Sequence, residues 1–244
     1  MRAIIFDHYG PSEELTLQEV PAPQPQASEV TVSVRAAALN AADWHVMRAD
    51  PFLVRLMCGF FKPRRQRLGA DVAGVVTAVG SGVTRFKAGD EVFGCLPLDA
   101  WGSYAEQVCA AQDVLALKPA RASFDEAAAV PLAGLTALQA LREIGQLRAG
   151  QKVLINGGAG KQMAEAIFFG PWQSEKGGRR IGRVDGKPNQ ADMQFLAELL
   201  DAGKLKPVID RRYGLAQVPE AIRYLEEGHA RGKVVITVQG ALDQ

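Results

Sequence analysis

The chain has little sulfur and few histidines for its length. Three cysteines stand among 244 residues, at Cys58, Cys95 and Cys109. They are odd in number, far apart and outside any CxxC spacing, which excludes a disulfide framework and a structural zinc site of the usual pattern. Buried free thiols in a reducing compartment are the expectation. Of the three histidines, His8 and His229 have no nearby Cys or Asp arrangement suited to nucleophilic catalysis. Charge of one sign is also missing: 28 Lys and Arg against 27 Asp and Glu leave a net charge of +1. Nothing in that balance calls for nucleic acid or a membrane surface as partner. No uncharged apolar run reaches the roughly 18 residues of a spanning helix. The opening "MRAIIFDHYGPSEE" carries charges where a signal peptide needs an apolar core, so a cytoplasmic protein is expected.

What remains is the composition of a globular protein, 48% apolar and 23% charged, long enough for one large domain or two small ones. The first part reads as short strands and tight turns. "EVTVSVRAAAL" alternates Val30, Val32 and Val34 with Thr31, Ser33 and Arg35, the pattern of a strand with one wet face. "DVAGVVTAVGSGVTRFKAGDEVFG" is punctuated by Gly80, Gly82 and Gly89, and "SYAEQVCA" and "DVLALKP" add further strands. Many short strands joined by glycine turns suggest a small barrel.

The pattern changes at Ser123. "SFDEAAAVP" is a capping box, Ser123 with Glu126, that starts a helix which Pro131 interrupts. "AGLTALQALREIG" is a longer apolar helix ending at Gly145, and "QKVLIN" is a short buried strand. Residues 173–189 are basic and glycine-rich, a loop or linker. Order returns with a helix capped by Asn189 and closed by Gly203, a strand in "KPVIDRRY", a helix with Pro219 in its first turn, and a last strand, "KVVITV".

In this order, "NAADWHVMR", "LGADVAGVVTAVGSGVTRFKAGDEVFG", "GSYAEQV", "EAAAVPLAGLTALQAL" and "EGHARGKVVITV" resemble the medium-chain dehydrogenase/reductases, in particular their zinc-free quinone oxidoreductase-like branch. The resemblance covers nearly all of residues 1–160 and 188–240. It implies a mixed α/β protein. Residues 1–122 would form a GroES-like β-barrel substrate domain to which 188–244 return. Residues 123–187 would hold connecting helices and a truncated remnant of a Rossmann domain. It also implies hydride transfer from NADPH to a quinone or an enone. Zinc-dependent relatives place a cysteine at the position of Asn40 and a histidine in a "GHE" at residues 69–71. Here the second position is Ala70, and the cysteine-rich structural loop is absent, so no metal is expected. His45 alone does not make a site.

Without a metal, hydride transfer rests on placement of the nicotinamide and on a donor for the developing enolate oxygen. By resemblance Asn40 faces nicotinamide and substrate, Thr136 contacts the carboxamide, and Trp44 walls the substrate pocket. Each has a plainer reading. Asn40 and Asp43 also form a helix-capping pattern, while Thr136 and Trp44 also suit packing. Gly157, Gly158 and Gly160 in "GGAG" suit a turn whose backbone approaches a pyrophosphate. The glycines that would complete it are replaced by Lys161 and Gln162. A P-loop fails outright, because its other required positions hold Ile155 and Gln162.

Space is the larger obstacle. Two βαβαβ halves need roughly 120 residues, and far fewer separate "VLIN" from the helix at Asn189. The adenosine half of a dinucleotide site has no chain from which to be built. Weak or lost NADPH binding follows, and the family homodimer becomes an open question. The alternative reading is a non-catalytic GroES-like binding module or a decayed gene product.

Overall fold

The computed structural model describes residues 1–148, 150–151 and 186–238. The described chain divides into two compact units, one of residues 1–133 with 188 onward and one of residues 134–187. Val153–Ile155, the glycine turn and residues 173–185 of the basic linker lie outside the described residues. Among the described residues no helix is long and apolar enough to cross a membrane.

The first unit is built on one long strand. β3 (Glu29–Ala38) pairs antiparallel with β4 (Asp71–Val79) along nearly its whole length. On its other side it pairs with β6 (Gln107–Ala111) through Glu29–Ser33 and with β9 (Lys233–Thr237) through Ala36–Ala38. β4 continues to β5 (Glu91–Cys95) and then β7 (Leu115–Leu117), and β9 continues to β8 (Ile209–Gly214) in parallel. The seven strands thus run in the order β7-β5-β4-β3-β9-β8, with β6 also on β3. A separate pair, β1 (Arg2–Ile5) with β2 (Thr16–Glu19), is joined to the β6 region by a bridge from Ala3 to Ala105.

β3 departs from the simple alternating pattern. Val30, Val32 and Val34 are fully buried, but so are Thr31 and Ser33, each about 4% exposed. The face expected to be wet is covered at Thr31 and Ser33, and α3 packs on this strand. Register shifts at Thr31/Val32 and Val34/Ala36 mark the bulges that let it bend. Thr31 meets its burial with a polar contact, its hydroxyl 3.6 Å from the Cys109 sulfur.

The helices begin where local chemistry dictates. α1 (Ala41–Arg48) and α2 (Val54–Cys58) fill the connection from β3 to β4. α3 (Phe124–Ala128) starts on Ser123, whose hydroxyl accepts the Glu126 N–H while the Glu126 carboxylate accepts the Ser123 N–H. α4 (Pro131–Gln139) follows directly and widens into a π-helical turn, Ala140–Ile144, before Gly145. In the second unit Gln139 and Lys187 exchange two hydrogen bonds, at 2.8 and 2.9 Å. α5 (Gln190–Asp201) is capped by Asn189, which accepts from the Asp192 N–H at 2.9 Å. Gly203 follows it at φ +65°, a left-handed conformation that only glycine adopts cheaply. α6 (Val218–Glu226) carries Pro219 in its first turn.

The α5 cap is a local, separable contribution. Asn189→Ala is expected to lower unfolding stability by about 1 kcal/mol, read from the denaturant midpoint at unchanged slope.

Candidate functional site

Three strand ends converge at one edge of the large sheet. Ala38, near the end of β3, is in register with Asp71, the first residue of β4, and with Val235 near the start of β9. The chain leaving β3 therefore sets Asn40 beside Asp71 and Lys233, residues 31 and 193 positions away in sequence. Lys233 Nζ donates to Asn40 Oδ1 at 2.7 Å and to Asp71 Oδ2 at 3.2 Å. Asn40 Nδ2 donates to Asp71 Oδ2 at 3.0 Å and to Ala38 O at 3.3 Å. The other carboxylate oxygen, Asp71 Oδ1, accepts the Leu132 N–H at 2.7 Å. Pro131 has no N–H of its own, so this strand carboxylate satisfies the first free donor of α4 and complements the positive end of its dipole.

Both readings of Asn40 find a place in this geometry. Asn40 stands at the N-cap of α1 in a capping box with Asp43, whose Oδ2 accepts the Asn40 N–H at 2.7 Å. Its carboxamide also joins the cluster with Lys233 and Asp71.

Asp43 itself is fully buried. Its second oxygen accepts the Gly69 N–H at 3.1 Å. Gly69 is held at φ +98°, and a Cβ there would stand 2.3 Å from Ser103 Oγ, so glycine is required twice over. Burial, opposed by these hydrogen bonds, pushes the Asp43 carboxyl up from 3.8 to about 6. The Tyr104 hydroxyl is buried against it without a well-aligned partner. Burial and the Asp43 charge raise its pKa well above the usual phenol value. Cys95, in register with Asp71, is buried as well, and burial raises its thiol above the ordinary range.

The remaining sequence candidates are spread more widely. Trp44 follows Asn40 by one turn of α1; it is half-buried, with its ring stacked on His45 at 3.7 Å between centroids. His45 Nδ1 lies 2.6 Å from Asp50 O. Thr136 is exposed on α4 in the second unit. Gly157, Gly158 and Gly160 lie outside the described residues. Asp71 and Lys233 escaped the sequence reading, although a lone aspartate opening the apolar run "DVAGVV" was a signal of a buried, partnered carboxylate.

A catalytic zinc does not fit this donor set. Ala70 offers no ligand atom, and the Lys233 ammonium already bridges Asn40 and Asp71, so a second cation there would meet like charge. Among the described residues no group of three or more His, Cys, Asp or Glu could hold a metal ion.

Two outcomes follow from these contacts. Asp71→Ala strands a Lys233 side chain that is only 18% exposed and removes the α4 cap. It is expected to cost about 3–5 kcal/mol in denaturant unfolding. For Asp43, the folded pKa lies above the unfolded one, so its contribution is most favourable below pH 4 and is lost as pH rises through about 6. Measured against Asp43→Asn, wild-type stability is expected to fall by about 3 kcal/mol between pH 4 and 7.

Residues 26–140 match the alcohol dehydrogenase GroES-like domain family, and residues 109–236 match the zinc-binding dehydrogenase family. The chain is 31% identical to a 2-methylene-furan-3-one reductase of Solanum lycopersicum, over 97% of this chain and 79% of the relative. It is 27% identical, with the same coverages, to a chloroplastic NADPH-dependent alkenal/one oxidoreductase of Arabidopsis thaliana. The quinone oxidoreductase of Coxiella burnetii shares the fold, with a TM-score of 0.81 at 24% identity over 98% of this chain and 99% of that one. Both sequence alignments run over 316 positions, so within the shared span the two plant relatives have residues that this 244-residue chain lacks. The seven-stranded sheet, the order of the sequence motifs and these matches lead to one conclusion: the chain belongs to the medium-chain dehydrogenase/reductase superfamily, on its quinone oxidoreductase-like branch.

Proposed function

We propose that this chain is a zinc-independent, NAD(P)H-dependent oxidoreductase for a quinone or enone, with cofactor affinity weakened by its internal shortening. The observation that carries the reading is the Lys233 ammonium hydrogen-bonded to Asn40 and Asp71, a fixed positive charge beside Asn40, the residue at the position of a zinc-ligand cysteine in zinc-dependent relatives. Two relatives named for reduction of a methylene-furanone and of alkenals or enones support the substrate class.

In this reading residues 1–122 and 188–244 form the substrate domain, and 123–187 carry the connecting helices and the Rossmann remnant. NAD(P)H, when bound, would supply the hydride. By resemblance to the family, Asn40 and Thr136 each address its nicotinamide end, and Trp44 walls the acceptor. An ammonium has three N–H donors, and two of those on Lys233 are spent on Asn40 and Asp71. The third is available to an oxygen that gains charge as hydride arrives, the role of an oxyanion donor. Asp71 holds that donor in position and does not itself touch the acceptor.

The shortening bears on the other end of the cofactor. Micromolar binding needs about 8 kcal/mol, and Asn40 and Thr136 address only the nicotinamide. The residues that the longer plant relatives have within the shared span are the chain from which an adenosine site would be made. Residual turnover at high cofactor concentration is the expected activity.

The test is NADPH oxidation with a water-soluble quinone and with a 2-alkenal at millimolar NADPH. Slow, chelator-insensitive turnover is expected, falling about 100-fold in Lys233→Met. In thermal melts 1 mM NADPH should add less than about 0.5 kcal/mol, whereas a micromolar site would add about 4. Activity that requires added zinc would refute the reading.

A further inference from the structure

A second feature of the first unit lies apart from the Asn40 cluster. Between β3 and β4 the chain runs "PFLVRLMCGFFKPRRQRLGA", residues 51–70, with five basic residues and no acidic one. A cavity of about 510 Å³ opens here, lined by Met57, Leu98 and Trp101 on its apolar side and by Arg64, Arg65 and Arg67. That volume falls within the range of small-molecule sites. Neither Asn40, Asp71 nor Lys233 lines it.

The loop that carries the arginines is held in place. Arg64 N–H donates to Cys58 O at 2.7 Å, the Tyr9 hydroxyl donates to Gly59 O at 2.8 Å, and the Arg55 guanidinium lies over the Tyr9 ring at 4.8 Å. The three lining arginines have no such anchor. Among the described residues none of Arg64, Arg65 or Arg67 forms an ion pair, although Asp99 also lines the cavity. Arg67 is half-buried, and its burial together with the charge of Arg65 disfavours its cationic form. Guanidinium groups that line a partly apolar cavity without an ion-pair partner are suited to an anion, which would relieve the repulsion between them and the partial desolvation of Arg67.

We propose that this cavity binds an amphiphilic anion, with its phosphate or carboxylate on Arg64, Arg65 and Arg67 and its apolar chain along Met57, Leu98 and Trp101. The combination matters: a bare anion would leave the apolar wall wet, and a neutral hydrocarbon would leave the arginines uncompensated. Such an anion could arrive as a soluble acyl or alkyl ester or as the headgroup of a lipid in a bilayer. Exposed Phe52, Met57 and Phe61 beside the cavity make the second source worth separating from the first. The site is independent of hydride transfer, so its test needs no turnover.

The purified chain would be titrated calorimetrically with dodecyl phosphate below its micelle concentration. Inorganic phosphate and a neutral dodecyl glucoside serve as partial ligands. The expected result is saturable one-to-one binding of dodecyl phosphate, with both partial ligands weaker by about tenfold or more. The double variant Arg65→Gln/Arg67→Gln should weaken binding by at least about tenfold. The variant's melting temperature checks that these surface substitutions leave the fold intact, and Met57→Asp tests the apolar wall separately. Flotation with phosphatidylglycerol vesicles separates the two sources. Saturable binding of the free amphiphile places recognition in the cavity. Failure of dodecyl phosphate to saturate, unchanged affinity in the arginine variant, or binding to vesicles alone would overturn the proposal.

Discussion

A half-buried ammonium holds together one edge of the large sheet. Lys233 opens β9, Asp71 opens β4, and Asn40 closes the exit from β3, so a single charge ties three strand ends that local sequence does not connect. Asp71 has no exposed side-chain surface. An ion pair so placed costs desolvation, which the hydrogen bonds from Lys233, Asn40 and the Leu132 N–H to Asp71 offset. Asp71 spends one oxygen on the lysine and on Asn40 and the other on the start of α4. Removing any member leaves a partner stranded where water does not reach. That interdependence fixes the Asn40 carboxamide in one orientation, which placement-dependent chemistry requires.

A few residues away the same edge handles charge in the opposite manner. Asp43 is buried with backbone donors and a tyrosine, and among the described residues it forms no ion pair. Its carboxyl is correspondingly pushed toward the neutral form, and Tyr104 is pushed further from ionising. The two aspartates share a helix–strand corner, yet Lys233 pairs with Asp71 while burial dominates at Asp43.

What was legible in the sequence was what short-range chemistry decides. Ser123 with Glu126, Asn189 with Asp192 and Pro219 in a first turn are decided within four residues, and each stands where the pattern places it. Asn40 was ambiguous because a cap and a site residue look alike over four positions, and the structure gives it both a capping box with Asp43 and the contacts to Lys233 and Asp71. Asp71 and Lys233 are 162 positions apart, and no local signal pairs them. The covered face of β3 was hidden for a related reason. Thr31 and Ser33 alternate like surface residues, but tertiary packing that no local pattern reveals buries them both. Family membership was carried by several motifs in order, and no single glycine pattern would have sufficed.

The account therefore rests on the coupling between Lys233 and Asp71, and a double-mutant cycle in unfolding free energy measures it directly. Lys233→Met and Asp71→Asn, singly and together, should show an interaction of about 1–3 kcal/mol. Additive effects, within about 0.3–0.5 kcal/mol, would mean that the two side chains do not depend on each other. The ammonium-centred edge would then not be the organising feature of this protein.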